Sequence, residues 1–276
     1  MTATLATSAR AEALRIGGGT TAPTTRALPE EVPVALVYDG STQAVMMATP
    51  SDLEDFAMGF SLTEGIVTAP DQITELAVEP HDAGIEIRMW LADAQGNALT
   101  RRRRAMAGPV GCGLCGIDSL QEATRPLPKV AARPDLTIGQ IARATDLLRA
   151  AQPLHDETRA VHAAGFLAPQ GLALAREDVG RHNALDKVIG ALARQGTDPA
   201  TGAFVLTSRV SIELVQKTAL AGCGLLIAVS APTARALRTA DEAGITLAAL
   251  ARDGRAEVFT RPDRITGAAT GADNVA

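Results

Sequence analysis

Cysteine is scarce in this chain: its 276 residues hold three, Cys112, Cys115 and Cys223. Three thiols build no disulfide framework, so a reducing cytoplasm is the expected location. Aromatic residues amount to 3%, too few for the stacking platforms that grip single-stranded nucleic acid. Lysine occurs only as Lys129, Lys187 and Lys217, and the formal net charge is −5. Nothing in that balance attracts a polyanion, so no nucleic-acid partner is expected. No apolar run approaches the roughly 20 residues that cross a bilayer. The opening stretch MTATLATSARAEALRIGGGTTAPTTRA has no apolar centre for a signal peptide. A membrane is therefore not expected either.

What remains is ordinary for a globular protein, 46% hydrophobic and 21% charged. Residues 1–28 and 265–276 are rich in Ala, Thr and Gly and are expected to be disordered tails. Residues 29–108 read as a small α+β domain. VPVALVY (32–38) is a strand, Asp39-Gly40 a hairpin turn and QAVMMA (43–48) the return strand. A helix follows Pro50, with Ser51 and Glu54 expected as a capping box. Leu53, Phe56, Ala57 and Phe60 share one face of it, and Gly65 ends it. GIEIRMWL places Ile85, Ile87, Met89 and Leu91 on one side of a half-buried strand.

Residues 109–135 break this pattern with glycine and proline and read as a loop and linker, with a short helix near Ile117–Ala123. From Thr137 the period changes. A helix with Ile141, Ala144, Leu147 and Leu148 on one face leads into a hairpin around Pro169-Gln170-Gly171. Helices and strands then alternate up to AEVFT. Residues 136–264 are therefore expected to form an α/β domain on a mostly parallel sheet with helices on its faces. Ligands of such sheets bind beyond the C-terminal strand ends. Those ends carry Arg176 to Asn183 (with Arg181 and His182), Ser208-Arg209, Ser230 and Leu250-Ala251-Arg252-Asp253-Gly254-Arg255. The set suits an anionic, phosphate-bearing ligand. Each residue alone is as well explained structurally: Ser230, Thr233 and Asp178 as helix caps, Arg176 in an ion pair, and His162 as a satisfied buried histidine.

Gly111 to Gly116 reads GCGLCG. A zinc clip, a redox pair and a sulfur-carrying nucleophile all fit two thiols three positions apart. A structural zinc needs four ligands, and neither Cys223 nor the four histidines show partner spacing. Zinc deaminases carry HxE before PCxxC. Here His155-Asp156-Glu157 follows the cysteines and Pro109 is not adjacent to Cys112, so no metal is expected. The flanking glycines leave the thiols mobile. Arg101 to Arg104 lie upstream, where positive charge favours thiolate; the run reads equally as a solvated strand end, or as a site for an acidic partner or a phosphate. Cys223 reads as a small buried residue. The chemistry is that of a mobile dithiol beside an anion-binding edge.

GPVGCGLCG, REDVGRHNALDKVIG, SRVSIELVQKTALAG and AVSAPTARAL, together with EVPVALVYDGSTQAVMMATPSDLEDFAMGFSLTEGIV, resemble the formate dehydrogenase accessory sulfurtransferases, the FdhD family, from about residue 29 to 264. The resemblance implies a C-terminal three-layer domain similar to cytidine deaminase. It implies a persulfide on Cys112, loaded by a cysteine desulfurase, with Cys115 assisting. The sulfur would pass to bis-molybdopterin guanine dinucleotide, held by Leu250 to Arg255, for the catalytic subunit of formate dehydrogenase. It suggests a homodimer. Two departures stand out: the family usually shows Thr-Gly-Gly where this chain has Thr158-Arg159-Ala160, and an aromatic residue where it has Leu250.

Overall fold

The computed structural model describes residues 5–92 and 126–267. Its strands are β1 (Ser8–Gly17), β2 (Thr20–Pro29), β3 (Val32–Tyr38), β4 (Ser41–Ala48), β5 (Ile73–His81), β6 (Gly84–Leu91), β7 (His162–Ala168), β8 (Gly171–Asp178), β9 (Ala203–Leu206), β10 (Leu225–Ala228), β11 (Thr246–Arg252) and β12 (Arg255–Thr260). Its helices are α1 (Leu53–Thr63), α2 (Ile138–Arg149), α3 (Pro153–Thr158), α4 (Arg181–Arg194), α5 (Ile212–Leu220) and α6 (Ala234–Ala243).

The N-terminal sheet has the order β4-β3-β6-β5. Period-2 alternation sends Val34, Leu36, Tyr38, Ile85, Ile87 and Met89 to one face, where Phe56, Ala57 and Phe60 of α1 cover them. The opposite face of α1 is also buried, because it lies against α4. Gly59 and Gly190 make that approach possible: a Cβ on Gly59 would sit 1.8 Å from the Asp186 carbonyl oxygen, and one on Gly190 1.8 Å from that of Asp55.

The C-terminal sheet runs β12-β11-β10-β9-β7-β8. Pairs β9–β10 and β10–β11 are parallel. Hairpins β7–β8 and β11–β12 flank them, and β7 is antiparallel to β9. β8 to β11 therefore share one direction, so their C-terminal ends lie along one edge, beside the start of β7. Phe166, Phe204, Leu226 and Leu247 face α4, α5 and α6. Val205, Ile227 and Ala248 face Ile141, Ala144 and Leu148 of α2. The result is a three-layer α/β/α sandwich, as expected.

Four details correct the sequence reading. Residues 8–28, expected within a disordered tail, form with Pro29 a hairpin paired from Ser8↔Pro29 to Gly17↔Thr20, turned by Gly18 and Gly19 at positive φ. The Ser51–Glu54 capping box is absent. Asp52 caps α1 from a left-handed conformation without a side-chain bond, and Glu54 is drawn off into an ion pair with Arg194. Leu147 is exposed, and Thr145 takes the inward place on α2. The C-terminal tail is ordered at its start: Ile265 packs into the core beneath α2, and Thr266 bridges Thr137.

Candidate functional site

A cavity of about 520 Å³ opens at the edge where β8, β9 and β10 end and β7 begins. Its floor is Val161, His162, Val179, Thr207 and Val229, and its wall is Thr145, Arg149, Gln152, His155, Arg159 and Ala160 from α2 and α3. No carboxylate is among the described lining residues. The polar groups are two guanidiniums, two imidazoles, an amide and hydroxyls.

The wall is held from two sides. Glu177, near the end of β8, accepts hydrogen bonds from the backbone N–H groups of Leu154 and His155, both 2.8 Å. This fixes the start of α3, whose free N–H groups need an acceptor. On α2, the Thr145 hydroxyl donates to the Ala251 carbonyl at 2.9 Å, tying the cavity to the end of β11. Arg149 is steadied by Asp156 at 2.5 Å. Arg159 makes no salt bridge among the described residues and has φ +60°, a backbone region disfavoured for any residue with a Cβ. Gln152 is 2% exposed, yet its side-chain amide finds no hydrogen-bond partner among the described residues. A buried amide without a partner is costly, and a ligand in the cavity would satisfy it.

His162 is the first residue of β7 and lines the cavity, where the sequence favoured a satisfied core histidine. Burial lowers its pKa, and Arg181 and His155 lower it further, so the ring is neutral at pH 7. His182, at the start of α4, has its pKa lowered to about 4 by burial, then by Arg181 and Lys217. Its Nε2 lies 3.3 Å from the Ser211 hydroxyl.

The expected strand-end residues stand beside the cavity more than in it. Thr207 and Val229 line it, and Ser208 and Ser230 follow them by one position. Ser208 is buried, with its hydroxyl donating to the Arg209 carbonyl; Arg209 is exposed. Leu250 has φ +52° in a bulge of β11. Asp253-Gly254 turns the β11–β12 hairpin, leaving Arg252 and Arg255 exposed at its mouth, while Ala251 is fully buried. Sequence reasoning missed Arg149 and Gln152 outright, marked Arg159 only as a departure from the family pattern, and set His155 and His162 aside. A helix pattern shows that Gln152 and Arg159 flank a short helix, but not that the helix closes over strand ends.

Several residues of the REDVGRHNALDK stretch serve as a weld between the two sheets. Asp178 and Lys187, both fully buried, pair at 2.7 Å. Lys187 also donates to the Thr49 carbonyl, and Asp178 accepts from the Thr49 N–H, each at 3.0 Å. Asn183 spans Asp178 and the Met47 carbonyl. Arg176 forms ion pairs with Asp52 and Asp55, not with the adjacent Glu177 or Asp178.

Cys112, Cys115, Arg101 to Arg104 and the expected short helix lie outside the described residues. Cys223 is fully buried and its thiol is pushed up to about 12 by that burial. Among the described residues, no helix is long and apolar enough to cross a membrane.

Comparison with known proteins adds to this geometry. The sequence matches the FdhD/NarQ family over residues 29–266. It is 54% identical over 249 residues to a protein of Agrobacterium fabrum named sulfur carrier protein FdhD, covering 90% of this chain and 92% of the relative. A protein of the same name from Brucella abortus biovar 1 is 53% identical over 242 residues, covering 87% and 90%. The crystal structure of a putative formate dehydrogenase accessory protein from Desulfotalea psychrophila is similar with a TM-score of 0.77 at 25% identity, covering 94% of this chain and all of that one.

Proposed function

Because the chain belongs to the FdhD/NarQ family, we propose that it is a sulfur carrier that equips formate dehydrogenase with sulfur. Cys112 is the carrier. Its thiolate attacks the outer sulfur of a cysteine desulfurase persulfide. The S–S bond of the donor breaks, the desulfurase cysteine leaves as thiolate, and Cys112 holds the new persulfide. Cys115 assists or receives the sulfur in relay. The recipient is bis-molybdopterin guanine dinucleotide, bound as substrate, and the protein thereby acts as a sulfurtransferase on behalf of the catalytic subunit of formate dehydrogenase. Its place is the cytoplasm and its working form a homodimer.

One observation carries the binding half of this reading. Among the described residues the cavity is lined by cationic and neutral donors with no carboxylate, and the buried Gln152 amide finds no partner there. Such a donor set suits phosphates and a nucleobase edge. About 520 Å³ is room for a nucleotide end and not for the whole cofactor. The remainder would lie along the strand ends, past Ser208, Ser230 and Arg181–His182 towards Leu250–Arg255. His162 and His182, held neutral, can donate or accept one hydrogen bond at each ring nitrogen without adding charge.

The test is the mass of the intact protein, without reductant, after incubation with a cysteine desulfurase and cysteine. Sulfur should appear on the peptide bearing Cys112, vanish in Cys112→Ala and persist in Cys223→Ala, whose thiol is buried and protonated. An unmodified wild-type protein, with the desulfurase active on a control acceptor, would sink the carrier role and leave a cofactor-binding chaperone.

A further inference from the structure

The cavity over the strand ends is graded by depth. Arg149 and Arg159 stand exposed at its rim. Inside are Thr145 and Gln152, 5% and 2% exposed, beside an apolar floor of Val161, Val179 and Val229. Charge is thus kept at the mouth, where water reaches it, and neutral groups line the interior. A nucleotide end has a charged phosphate side and a flat, neutral base with a polar edge. It fits this gradient one way round, phosphates at the rim and base inward.

Two of the polar groups inside are already committed to the backbone. The Thr145 hydroxyl donates to the Ala251 carbonyl. The Thr207 hydroxyl accepts from the Ala163 N–H at 2.9 Å and donates to the Ala163 carbonyl at 3.2 Å. Gln152 differs. It is the most deeply buried polar side chain of the described lining, and its amide meets no partner among the described residues. Nothing there pins the amide's orientation, so its oxygen and its NH₂ can exchange places by a half-turn about the last side-chain bond.

A carboxamide sets one acceptor beside one donor. The Watson–Crick edge of a purine does the same. Guanine and hypoxanthine offer the O6 acceptor beside the N1–H donor, and adenine offers the 6-amino donor beside the N1 acceptor. The two orders are opposite, and a half-turn of the amide matches either. A carboxylate, the group that would take guanine's N1–H and 2-amino group together, is not among the described lining residues.

We propose that Gln152 reads the base of a nucleotide bound in this cavity, and that it accepts guanine, hypoxanthine and adenine alike. This rests on the nucleotide-end reading above and goes beyond it in naming the residue that reads the base, the direction of the ligand and its tolerance. Free purine nucleotides therefore compete with the cofactor for the cavity.

Titration calorimetry of the full chain with guanosine, inosine and adenosine diphosphate tests this, with thermal unfolding as the check on the fold. The wild type should bind all three within about tenfold of one another, the worth of one net hydrogen bond. Gln152→Met keeps the length of the side chain and removes its polar group. It should weaken all three by about tenfold or more. Its melting temperature should stay or rise, because a buried amide without a partner has been removed. Gln152→Glu can only accept while ionised. Guanine donates to it through N1–H and the 2-amino group, hypoxanthine through N1–H alone, and adenine turns its N1 lone pair against it. The ratio of guanosine to adenosine diphosphate affinity should rise by about tenfold or more over the wild type. Repulsion of the diphosphate is common to all three ligands and cancels in that ratio. A wild type that prefers one base by more than about tenfold, or a Gln152→Met protein that binds as the wild type does, overturns Gln152 as the tolerant base-reading residue. So does an unchanged ratio in Gln152→Glu. A wild type that binds none of the three overturns the nucleotide reading of the cavity itself.

Discussion

Arg159 holds a backbone conformation that suits glycine and aims a guanidinium at the cavity. The resemblance leads one to expect glycine there, so the strain is a property of this chain's own sequence. Its replacement should separate stability from binding. Arg159→Gly removes the left-handed penalty of a residue with a Cβ, partly offset by a floppier unfolded chain, for a net gain of about 0.5–1 kcal/mol. The same change removes one charged donor and should weaken guanosine diphosphate about tenfold. Thermal unfolding and titration calorimetry read the two effects independently. An unchanged affinity would take Arg159 out of the site. The residue scale is also where the sequence was least legible. The three-letter stretch around His155 could be read, but its meaning depended on Glu177 fixing α3 from a different strand.

Among the elements, α1 shows how far periodicity reaches. Its Leu53, Phe56, Ala57, Phe60 stripe pointed to one buried face, and those residues do fill the N-terminal core. A helix buried on both sides carries its second interface in small and charged residues, which a hydrophobic stripe does not mark. Gly59, Asp55 and Gly190 make that interface. Gly59→Ala drives a methyl group into the Asp186 carbonyl, and should cost about 1–3 kcal/mol or more as α1 and α4 are pushed apart. Gly139→Ala, in the exposed first turn of α2 with nothing within 4 Å, is the control; it should be neutral or stabilising by up to about 1 kcal/mol. Denaturant melts of the two variants decide it. Equal stabilities would mean that the close approach of the helices is not a constraint. The missing capping box belongs to this scale too, because Glu54 meets Arg194 of another helix before it can turn back on its own.

For the molecule as a whole, buried ion pairs join the two sheets. Asp178–Lys187 reaches Thr49. Asp186–Lys217 reaches Thr63 and Glu64, with the Lys217 ammonium 5.6 Å from the Phe60 ring centroid. Asp55 takes Arg176 and Arg194 together. Removing one member of such a pair leaves a buried charge without its partner. Lys187→Met should therefore cost about 3–5 kcal/mol. Calorimetry should show a single transition for the wild type and a single, lower one for the variant, since neither half keeps its polar groups satisfied without the other. Two separable transitions would show that the halves are independent.

The sequence by itself determined the secondary-structure period of most segments, the inward faces of most strands, the strand ends as the place to look for a ligand, and the spacing of Cys112 and Cys115. These follow from local spacing and residue chemistry, which need no knowledge of the fold. Only the tertiary structure decided that α3 and α2 close a donor-lined cavity over that edge, and that much of REDVGRHNALDK welds the two sheets. It also decided that residues 8–29 form a hairpin. Each of these depends on contacts between residues far apart in the chain, such as Asp178 with Thr49 or Glu177 with His155, and no local pattern encodes which distant partner a charge or an amide will meet.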